Sequence, residues 1–324
     1  MTRMIEWHPR ANIASIRKRL LAWFDREQRS LPWRGQQDPY SILVSEVMLQ
    51  QTRVAVVEER YKLFLRQFPT IERLARAREQ TVLAAWSGLG YYRRARSLHA
   101  AAKQISKSGA FPRTALQLRE LPGVGRYTAN AVASIAFGEP VAVVDGNVKR
   151  VLRRLFGRAL PQREEAYWEA AATLLDQQRP GDFNQAMMEL GALVCLPGQP
   201  VCTNCPVASS CALRGADARK MQAPRRKATL HYTLARSNGA VLLRQRSSTD
   251  PLMAGMWELP ACREPNPGHV PLLKVRHSIT VTDYTVLVFP GNLRWRDTDR
   301  WVPLRSAHRL PLTGLARKIL GQLK

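Results

Sequence analysis

Most of the first two thirds of the chain carries apolar residues at helical spacing. Residues 13–24 repeat them every three or four positions with a basic opposite face, and residues 55–105 and 164–194 also read as helical. Past residue 229 the period shortens, and short stretches alternate or run rich in β-forming residues between Gly and Pro: 229–235, 239–245 and 279–289. The pattern predicts a mainly α N-terminal part and a small C-terminal domain that is α+β or all-β.

A further helix is indicated by its first residues. Asp38-Pro39 fits an N-cap followed by proline at the first helical position, and the helix is predicted to run from Tyr40 to about Val54. Glu46 lies beside its apolar stripe, where a lone glutamate is more often a solvated residue than a catalyst. The helix ends in Gln50-Gln51-Thr52, three uncharged polar side chains that suit the reading of base edges.

Residues 121–150 join a tight turn to a single carboxylate. Gly123 and Gly125 let the backbone turn sharply and approach a ligand closely, and the amides that open the next helix form an anion site. Asp145 stands at the start of a two-faced helix. Its apolar face carries Val148, Val151, Leu152, Leu155 and Phe156, and its basic face carries Lys149, Arg150, Arg153 and Arg154. A carboxylate beside a phosphate-binding turn suggests chemistry on a nucleic acid.

The helical pattern of residues 55–105 is interrupted at Gly88-Leu89-Gly90-Tyr91-Tyr92. Apolar and aromatic side chains at such a turn can wedge into a base stack. A turn packed into the core is the alternative, and for Tyr92 the two interpretations have equal weight. Arginines follow at 93, 94 and 96, which favours a turn that faces DNA.

The net charge of the chain indicates which kind of partner it binds. Lys and Arg number 50 against 25 Asp and Glu, a net charge of +25 over 324 residues. A balance this basic indicates a polyanionic partner, and nucleic acid is the leading candidate. No apolar run is long enough to cross a bilayer, so we expect neither a membrane span nor a signal peptide. The expected location is the cytoplasm, at the nucleoid in a bacterium, and the expected state is a monomer.

Four of the five cysteines crowd into 17 residues. They are Cys195, Cys202, Cys205 and Cys211, and this clustering favours a metal centre over disulfides. Composition by itself favours zinc, since zinc sites with four cysteines are common. The spacing is not the paired CxxC of a zinc ribbon, however, and iron–sulfur clusters are also held by four cysteines.

Several segments together resemble one known family. They are SEVMLQQT (45–52), GLGYY (88–92), LPGVGRYTA (121–129), VDGNVKRVL (144–152), FNQAMMELGALVC (183–195) and the cysteine run. This combination is similar to the MutY adenine DNA glycosylases, which belong to the helix-hairpin-helix superfamily together with endonuclease III. The resemblance covers about residues 15–215. Further along, LLRQR (242–246) and MAGMWELP (253–260) look like the MutT/Nudix-like recognition domain of that family.

The resemblance implies an organisation, a cofactor and a substrate. Residues 1–213 would form the helix-hairpin-helix catalytic region with its cysteine loop at 195–211, residues 214–228 a linker, and residues 229–324 a truncated Nudix-like DNA-recognition domain. The four cysteines would hold a [4Fe–4S] cluster, in place of the zinc that composition favours. The substrate would be double-stranded DNA with an A·8-oxoguanine or A·G mispair, from which adenine is removed by hydrolysis of the N-glycosidic bond.

The same resemblance assigns residue roles. Glu46 matches the proton donor to adenine N7, and Asp145 matches the carboxylate that stabilises the oxocarbenium ion, the division of labour that glycoside hydrolysis uses. Tyr127 and Asn147 match residues that hydrogen-bond around these two carboxylates. The pocket for the flipped adenine would be lined by Arg29, Trp33, Arg34 and Glu189. The contacts to DNA would come from Gln51, Thr52, Leu89, Tyr91, Gly123, Gly125 and Thr280.

The chain also departs from its relatives. Endonuclease III has lysine where this chain has Tyr127, so we expect a monofunctional enzyme without Schiff-base chemistry. The family's Phe-Ser-His loop, which detects 8-oxoguanine, aligns with Ile279-Thr280-Val281, so weaker selectivity over A·G is expected. From residue 229 onward the glutamates are Glu258 and Glu264, too few for the Mg²⁺-binding helix of a Nudix hydrolase.

Two other functions remain open at this point. One is a G·T or G·U mismatch glycosylase of the same superfamily, some members of which also carry tyrosine at the hairpin position. The other is a non-catalytic DNA-binding or redox-sensing iron–sulfur protein. Glu46 within SEVMLQQT and the C-terminal segment favour adenine over the first, and the presence of both Glu46 and Asp145 argues against the second.

Overall fold

A computed structural model describes residues 12–214, 226–247, 249–250, 253–262, 270–279, 281–291, 293 and 295–323. The chain packs into two compact units, Met1–Gln50 with Ala100–Met221 and Gln51–His99 with Gln222–Lys324. The predicted domain limits therefore stay predictions, and residues 215–225 of the predicted linker lie outside the described residues.

The helices follow the predicted helical stretches. In chain order they are α1 (Ile13–Glu27), α2 (Pro39–Leu49), α3 (Val54–Gln67), α4 (Ile71–Ala75), α5 (Glu79–Ala85), α6 (Arg93–Ser108), α7 (Ala115–Leu118), α8 (Arg126–Phe137), α9 (Gly146–Phe156), α10 (Glu164–Leu174), α11 (Pro180–Leu193) and α12 (Gly314–Gly321). The boundary between the two units falls within α6.

Helix α2 shows how the local sequence sets its limits. The Asp38 carboxylate accepts hydrogen bonds from the Tyr40 and Ser41 amides, as the predicted N-cap requires. The helix stops at Leu49, so the predicted end near Val54 is wrong. Gln51 takes a left-handed backbone conformation with φ of 55°, which ends the helix and turns the chain toward α3.

The first unit is built around α1, α9, α10 and α11. Its core includes Leu20 and Phe24 of α1, Leu152 and Phe156 of α9, and Phe183 of α11. All five residues on the predicted apolar face of α9 are buried. This packing is what fixes the start of α9, and with it Asp145.

The second unit contains the strands that the structure describes. They are β1 (Arg226–Leu234), β2 (Arg236–Ser237), β3 (Ala240–Gln245), β4 (Trp257–Glu258), β5 (Leu273–Ile279), β6 (Thr282–Pro290) and β7 (Asp299–Pro303). One sheet has the order β1-β6-β5, with β1 parallel to β6, and the other has the order β2-β3-β4, with β7 also paired to β3.

The C-terminal helix α12 packs on the core of these sheets through Leu315, Ala316 and Ile319. The C-terminal region is therefore α+β, as one of the two alternatives predicted. Two details differ from the sequence prediction. β1 begins at Arg226, inside the predicted linker, and the β-rich stretch 279–289 is β6 preceded by the separate strand β5.

Candidate active site

Glu46 is a buried acid. Its side chain projects from α2 with 6% of the residue exposed, and the Tyr127 hydroxyl of α8 donates a hydrogen bond of 2.8 Å to its Oε2. The Met188 sulfur of α11 lies 3.0 Å from the same hydroxyl. Burial raises the pKa of Glu46 to about 7, against the opposing effects of the Tyr127 hydrogen bond and the Arg34 charge. Glu46 is therefore not the solvated helix residue that base rates favoured.

Asp145 is held as a carboxylate acceptor at the N-terminus of α9. Its Oδ1 accepts the Val148 amide at 2.7 Å, and the Asn147 side-chain amide donates to its Oδ2 at 3.0 Å. The helix N-terminus adds a favourable partial positive charge. Asp145 is thus the N-cap of its own helix, which fixes the position of its carboxylate.

Two buried asparagines position the backbone of residues 141–143, shortly before Asp145. The Asn130 side chain donates to the Ala142 carbonyl at 2.7 Å. The Asn184 side chain accepts the Val143 amide at 3.1 Å and donates to the Val141 carbonyl at 2.8 Å. Side-chain amides thereby satisfy backbone groups that a strand would pair in a ladder.

Glu46, Tyr127 and Asp145 interact electrostatically. The negative charge of Asp145 contributes to the raised pKa of Glu46. Burial and the two carboxylates also raise the pKa of Tyr127 well above its ordinary value, so the tyrosine stays a neutral donor. Two carboxyl groups whose environments differ in this way can take the separate roles of proton donor and stabilising anion.

The predicted pocket residues Arg29, Arg34 and Glu189 form one ion-paired group. Arg29 donates to both carboxylate oxygens of Glu189 at 2.8 Å, and Arg34 donates to Oε2 at 2.9 Å. Burial opposes the charge on Glu189, but the hydrogen bonds from Arg29 and the charges of both arginines lower its pKa. Arg34 also lies over the Phe24 ring, and Trp33 is buried.

Arg150 links the Asp145 turn to the cysteine loop. It donates to the Asn147 side-chain oxygen at 2.9 Å, to the Gly191 carbonyl at 2.7 Å and to the Cys195 carbonyl at 2.7 Å. A Cβ at Gly191 would lie 2.6 Å from the Asn147 Cβ, so α11 approaches α9 this closely because residue 191 is glycine.

Arg154 is buried, so the sequence prediction that put it on the basic face of α9 is wrong. Its guanidinium lies 3.4 Å from the Cys195 sulfur and donates to the carbonyls of Leu196 and Gly198. The Leu213 amide donates a hydrogen bond of 3.1 Å to the Arg154 carbonyl. The arginine therefore ties the cysteine loop to α9.

The four cysteines supply the soft thiolate ligands that the predicted cluster would need. Burial and, after it, the charges of Cys211, Cys195 and Cys202 together raise the pKa of Cys205 to about 11. Three of them pack against the core of the first unit. Among the described residues, no three His, Cys, Asp or Glu side chains form a group that would hold a single metal ion.

The predicted phosphate turn has the expected geometry. Gly123 has φ of 75°, and the Val124 amide closes a turn onto the Leu121 carbonyl. Gly125 is the N-cap of α8, and within the described chain no side chain caps the first amides of this helix. These amides are free to bind an anion, as helix N-termini do.

The other predicted DNA contacts lie in the second unit, and two of them are clearly on its surface. Gln51 is exposed, and Tyr91 is 48% exposed. Thr52 donates from its hydroxyl to the Leu89 carbonyl at 3.4 Å. Leu89 itself is buried, so in this conformation its side chain does not face solvent as a wedge would. Thr280 lies outside the described residues, and Val281 beside it is 62% exposed.

About two thirds of the chain has the fold of a known group of glycosylases. A solved structure of a thermostable thymine-DNA glycosylase is 30% identical, with a TM-score of 0.59, and the match covers 63% of this chain and 97% of that one. Residues 44–173 match the family model described as HhH-GPD superfamily base excision DNA repair protein. The chain belongs to this superfamily.

Two further relatives agree with that assignment. A structure of endonuclease III trapped as a covalent intermediate with DNA is 25% identical, with a TM-score of 0.54, over 63% of this chain and 97% of that one. The adenine DNA glycosylase of Homo sapiens is 48% identical over 221 residues, which are 63% of this chain and 40% of the human protein. The chain thus aligns with about two fifths of this curated relative's length. The predicted mainly α superfamily fold with a small α+β C-terminal region is confirmed.

Sequence reasoning missed several residues that hold this site. Asn184, Gly191, Arg150 and Arg154 each contact the segments that carry Asp145 or the cysteines. Asn184 and Gly191 stand in the segment that carried the family resemblance. For Asn184, the signal available in the sequence was a polar residue among the apolar positions of α11.

Proposed function

We propose that the protein is a monofunctional DNA glycosylase that removes adenine mispaired with 8-oxoguanine or guanine. The observation that carries the proposal is the buried Glu46 carboxyl, protonated near neutral pH and held by Tyr127 within the electrostatic reach of Asp145. The relatives named adenine DNA glycosylase support the choice of base.

The two carboxyl groups supply what N-glycosidic cleavage needs. The adenine is first rotated out of the helix, since its reacting atoms cannot be reached in a stacked duplex. Glu46 transfers its proton to N7, and adenine leaves as a neutral base when the bond to C1′ breaks. The Asp145 carboxylate stabilises the oxocarbenium ion that remains. Water then adds to C1′ and loses a proton, so that the net reaction is hydrolysis.

Double-stranded DNA is the proposed partner. The net charge of +25 favours phosphate binding at many points, and the α8 amides after Gly125 suit one phosphate oxygen. The ion-paired group of Glu189 with Arg29 and Arg34 is polar, as a pocket that hydrogen-bonds a flipped base must be. We place the protein at the nucleoid, as a monomer on the duplex.

Cys195, Cys202, Cys205 and Cys211 are the proposed ligands of a [4Fe–4S] cluster. The superfamily membership and the interacting thiols support this assignment. When bound, such a cluster would stabilise the loop that Arg150 and Arg154 fasten to α9. The glycosidic chemistry itself is carried by the side chains described above.

The C-terminal region is the proposed reader of the base opposite adenine, in the manner of a Nudix-like domain that has lost hydrolysis. Glu258 is paired with Arg246 at 2.7 Å, so it is engaged in a salt bridge. Val281 lies between β5 and β6, and the family resemblance aligns it with a histidine. Recognition of 8-oxoguanine is therefore proposed to be weaker than in the family.

Thymine or uracil opposite guanine is the second candidate substrate. The thermostable thymine-DNA glycosylase, which is 30% identical to this chain, favours it. Glu46 and the C-terminal region favour adenine, because a pyrimidine offers no N7 for the acid to protonate.

Single-turnover base release tests the proposal. Adenine release from A·8-oxoguanine and A·G duplexes is compared with thymine and uracil release from G·T and G·U duplexes. We expect adenine to be released and Asp145→Asn to abolish release while DNA binding persists. Faster release of thymine or uracil would replace the adenine proposal, and an Asp145→Asn variant with full activity would contradict the assigned mechanism.

A further inference from the structure

The loop between α5 and α6 is held in an unusual backbone conformation. Gly88, Gly90 and Tyr91 have φ of 98°, 68° and 46°. Tyr91 is the exceptional member, since a non-glycine residue with positive φ is strained. Tyr91 is 48% exposed, whereas Leu89 and Tyr92 beside it are each only 4% exposed. The buried neighbours must therefore hold the strained, exposed residue in place.

Arg94 holds one side of the loop. Its Nη2 donates to the Leu89 carbonyl at 2.9 Å, to the Gly90 carbonyl at 3.1 Å and to the Thr52 hydroxyl at 3.0 Å. The guanidinium also lies 5.5 Å from the ring centroids of Tyr91 and Trp86. One cation thereby joins the loop to Thr52, the residue after the exposed Gln51.

Tyr92 holds the other side, and it does so from the C-terminal region. Its buried hydroxyl donates to the Leu312 carbonyl at 3.0 Å and lies 3.3 Å from the Ser87 hydroxyl. Leu312 is itself bridged to Trp257, whose carbonyl accepts the Thr313 amide at 3.0 Å. Tyr92 is thus anchored to a segment fixed by β4 and the start of α12.

Arg96 repeats this connection one helical turn later. Its Nη2 donates to the Ala254 carbonyl at 2.6 Å, and its Nε pairs with Glu79 at 2.9 Å. Ala254 lies in the turn that leads into β4, so two separate C-terminal segments are bonded to the start of α6. The side chains of Tyr92 and Arg96 thus connect the start of α6 to the C-terminal region through hydrogen bonds to the Leu312 and Ala254 carbonyls.

We propose that the C-terminal region sets the conformation of the loop 88–92, and that Tyr92 is the positioning residue that transmits this effect to Tyr91. This inference rests on the proposed function, because Tyr91 is taken to face the mispaired DNA. The C-terminal region then contributes to mispair recognition in a second way, through the loop that it supports, besides its own contact with the opposite base.

A conservative variant tests this connection in the full-length protein. Tyr92→Phe removes the hydroxyl and leaves the Leu312 carbonyl buried without this donor, while the ring stays packed. We expect affinity for an A·8-oxoguanine duplex to fall about tenfold, the usual scale for one buried hydrogen bond. Amide hydrogen exchange at residues 89–91 should become faster in the free protein. Tyr232→Phe, which removes a buried hydroxyl from the C-terminal core, is the matched control and should change neither quantity.

A double-mutant cycle separates positioning from general stability. If Tyr92 acts through Tyr91, the effect of Tyr92→Phe on affinity should vanish in a Tyr91→Ala background. Additive effects, or a Tyr92→Phe protein that behaves like the Tyr232→Phe control, would overturn the inference. Should Tyr92→Phe fail to fold, Arg96→Gln breaks the second connection at an accessible site, and unchanged exchange at residues 89–91 would then count against it.

The test of the Tyr92 connection can fail or succeed independently of the test of the proposed glycosylase function. Wild-type protein that releases no adenine would contradict the glycosylase proposal, whereas the hydrogen-exchange comparison needs neither DNA nor turnover. Slow exchange at 89–91 that depends on Tyr92 would then support the structural connection independently of the substrate.

Discussion

At the scale of single residues, the proposed chemistry depends on how burial changes the pKa of Glu46. Glu46 is almost fully enclosed, and this enclosure raises its pKa to about 7 even though Tyr127 donates to it and Arg34 lies near. A general acid works best when its pKa lies near the working pH. The surroundings of Glu46 thus give it a proton to donate under neutral conditions.

The pH dependence of base release follows from this protonation. We expect the single-turnover rate to be level below about pH 7 and to fall as the pH rises through the pKa of Glu46, because the acid must be protonated. Glu46→Gln should lose most activity and all of this pH dependence. A rate that rises with pH across the same range would mean that Glu46 acts as a base.

Tyr127 leads to a prediction about strand cleavage. Its pKa is raised well above the ordinary tyrosine value, and a phenol cannot form a Schiff base with the sugar aldehyde. Borohydride added during the reaction should therefore trap little protein on DNA. A Tyr127→Lys variant offers the matched comparison, and efficient trapping by the wild-type protein would show that another amine reacts.

The candidate catalytic residues could be predicted from the sequence, but the surroundings that set their protonation could not. The family resemblance assigned the roles of Glu46 and Asp145, whereas a lone glutamate beside an apolar stripe is more often solvated. Glu46 is hydrogen-bonded to Tyr127 of α8, 81 positions away, and Tyr127 in turn contacts Met188 of α11, 142 positions from Glu46. Spacing along one helix carries no information about contacts between helices so distant in sequence.

At the scale of elements, α9 and α11 determine where Asp145 points. The close approach of these helices requires glycine at 191, and the Asn147 amide beside it orients the Asp145 carboxylate. The apolar face of α9 was predictable from its period, but the burial of Arg154 was not, because it depends on carbonyls of the cysteine loop.

Gly191→Ala tests this arrangement of helices. The added Cβ would meet Asn147 at 2.6 Å, so α11 or the Asp145 turn must move. Overpacking of this kind costs about 1–3 kcal/mol of stability. We expect base release to slow more than DNA affinity falls. Gly321→Ala, with nothing within 4 Å of its added Cβ, is the control, and equal effects of both changes would exclude a role for the α9–α11 contact.

Strand β5 shows a limit of reading elements from sequence. Leu273 and Val275 alternate with Lys274 and Arg276, which is the period of a strand, although this stretch was not among the predicted ones. The strand is defined by its partner β6, against which it pairs from Leu273 to Ile279. Pairing is a tertiary property, so the C-terminal architecture was predictable only as a class.

At the scale of the whole molecule, the chain combines the superfamily fold with a C-terminal α+β region that we propose as the reader of the opposite base. Its +25 charge would supply affinity for any duplex, but selectivity requires groups that recognise particular base edges. Val281 offers no hydrogen bond from its side chain, and it lies exposed at the β5–β6 tip.

Opposite-base selectivity should therefore be modest. We expect single-turnover rates on A·8-oxoguanine and A·G duplexes to differ by less than about tenfold, and Val281→His to widen the difference, because a hydrogen-bonding contact to a base contributes about 1–3 kcal/mol of discrimination. Val281→Thr serves as the control of similar size. A very large preference of the wild-type protein for 8-oxoguanine would assign recognition to other residues.

The enclosed acid also has a thermodynamic consequence for the protein itself. Below pH 4.5 Glu46 is protonated whether the chain is folded or unfolded, but between pH 4.5 and about 7 only the unfolded chain releases the proton. Stability contributed by this group is thus lost as the pH rises, by on the order of 3 kcal/mol at pH 8. Glu46→Gln should accordingly melt at a higher temperature than the wild type at pH 8, and nearly together with it at pH 4. A library selected for heat resistance in alkaline buffer would therefore select against the residue that the chemistry requires.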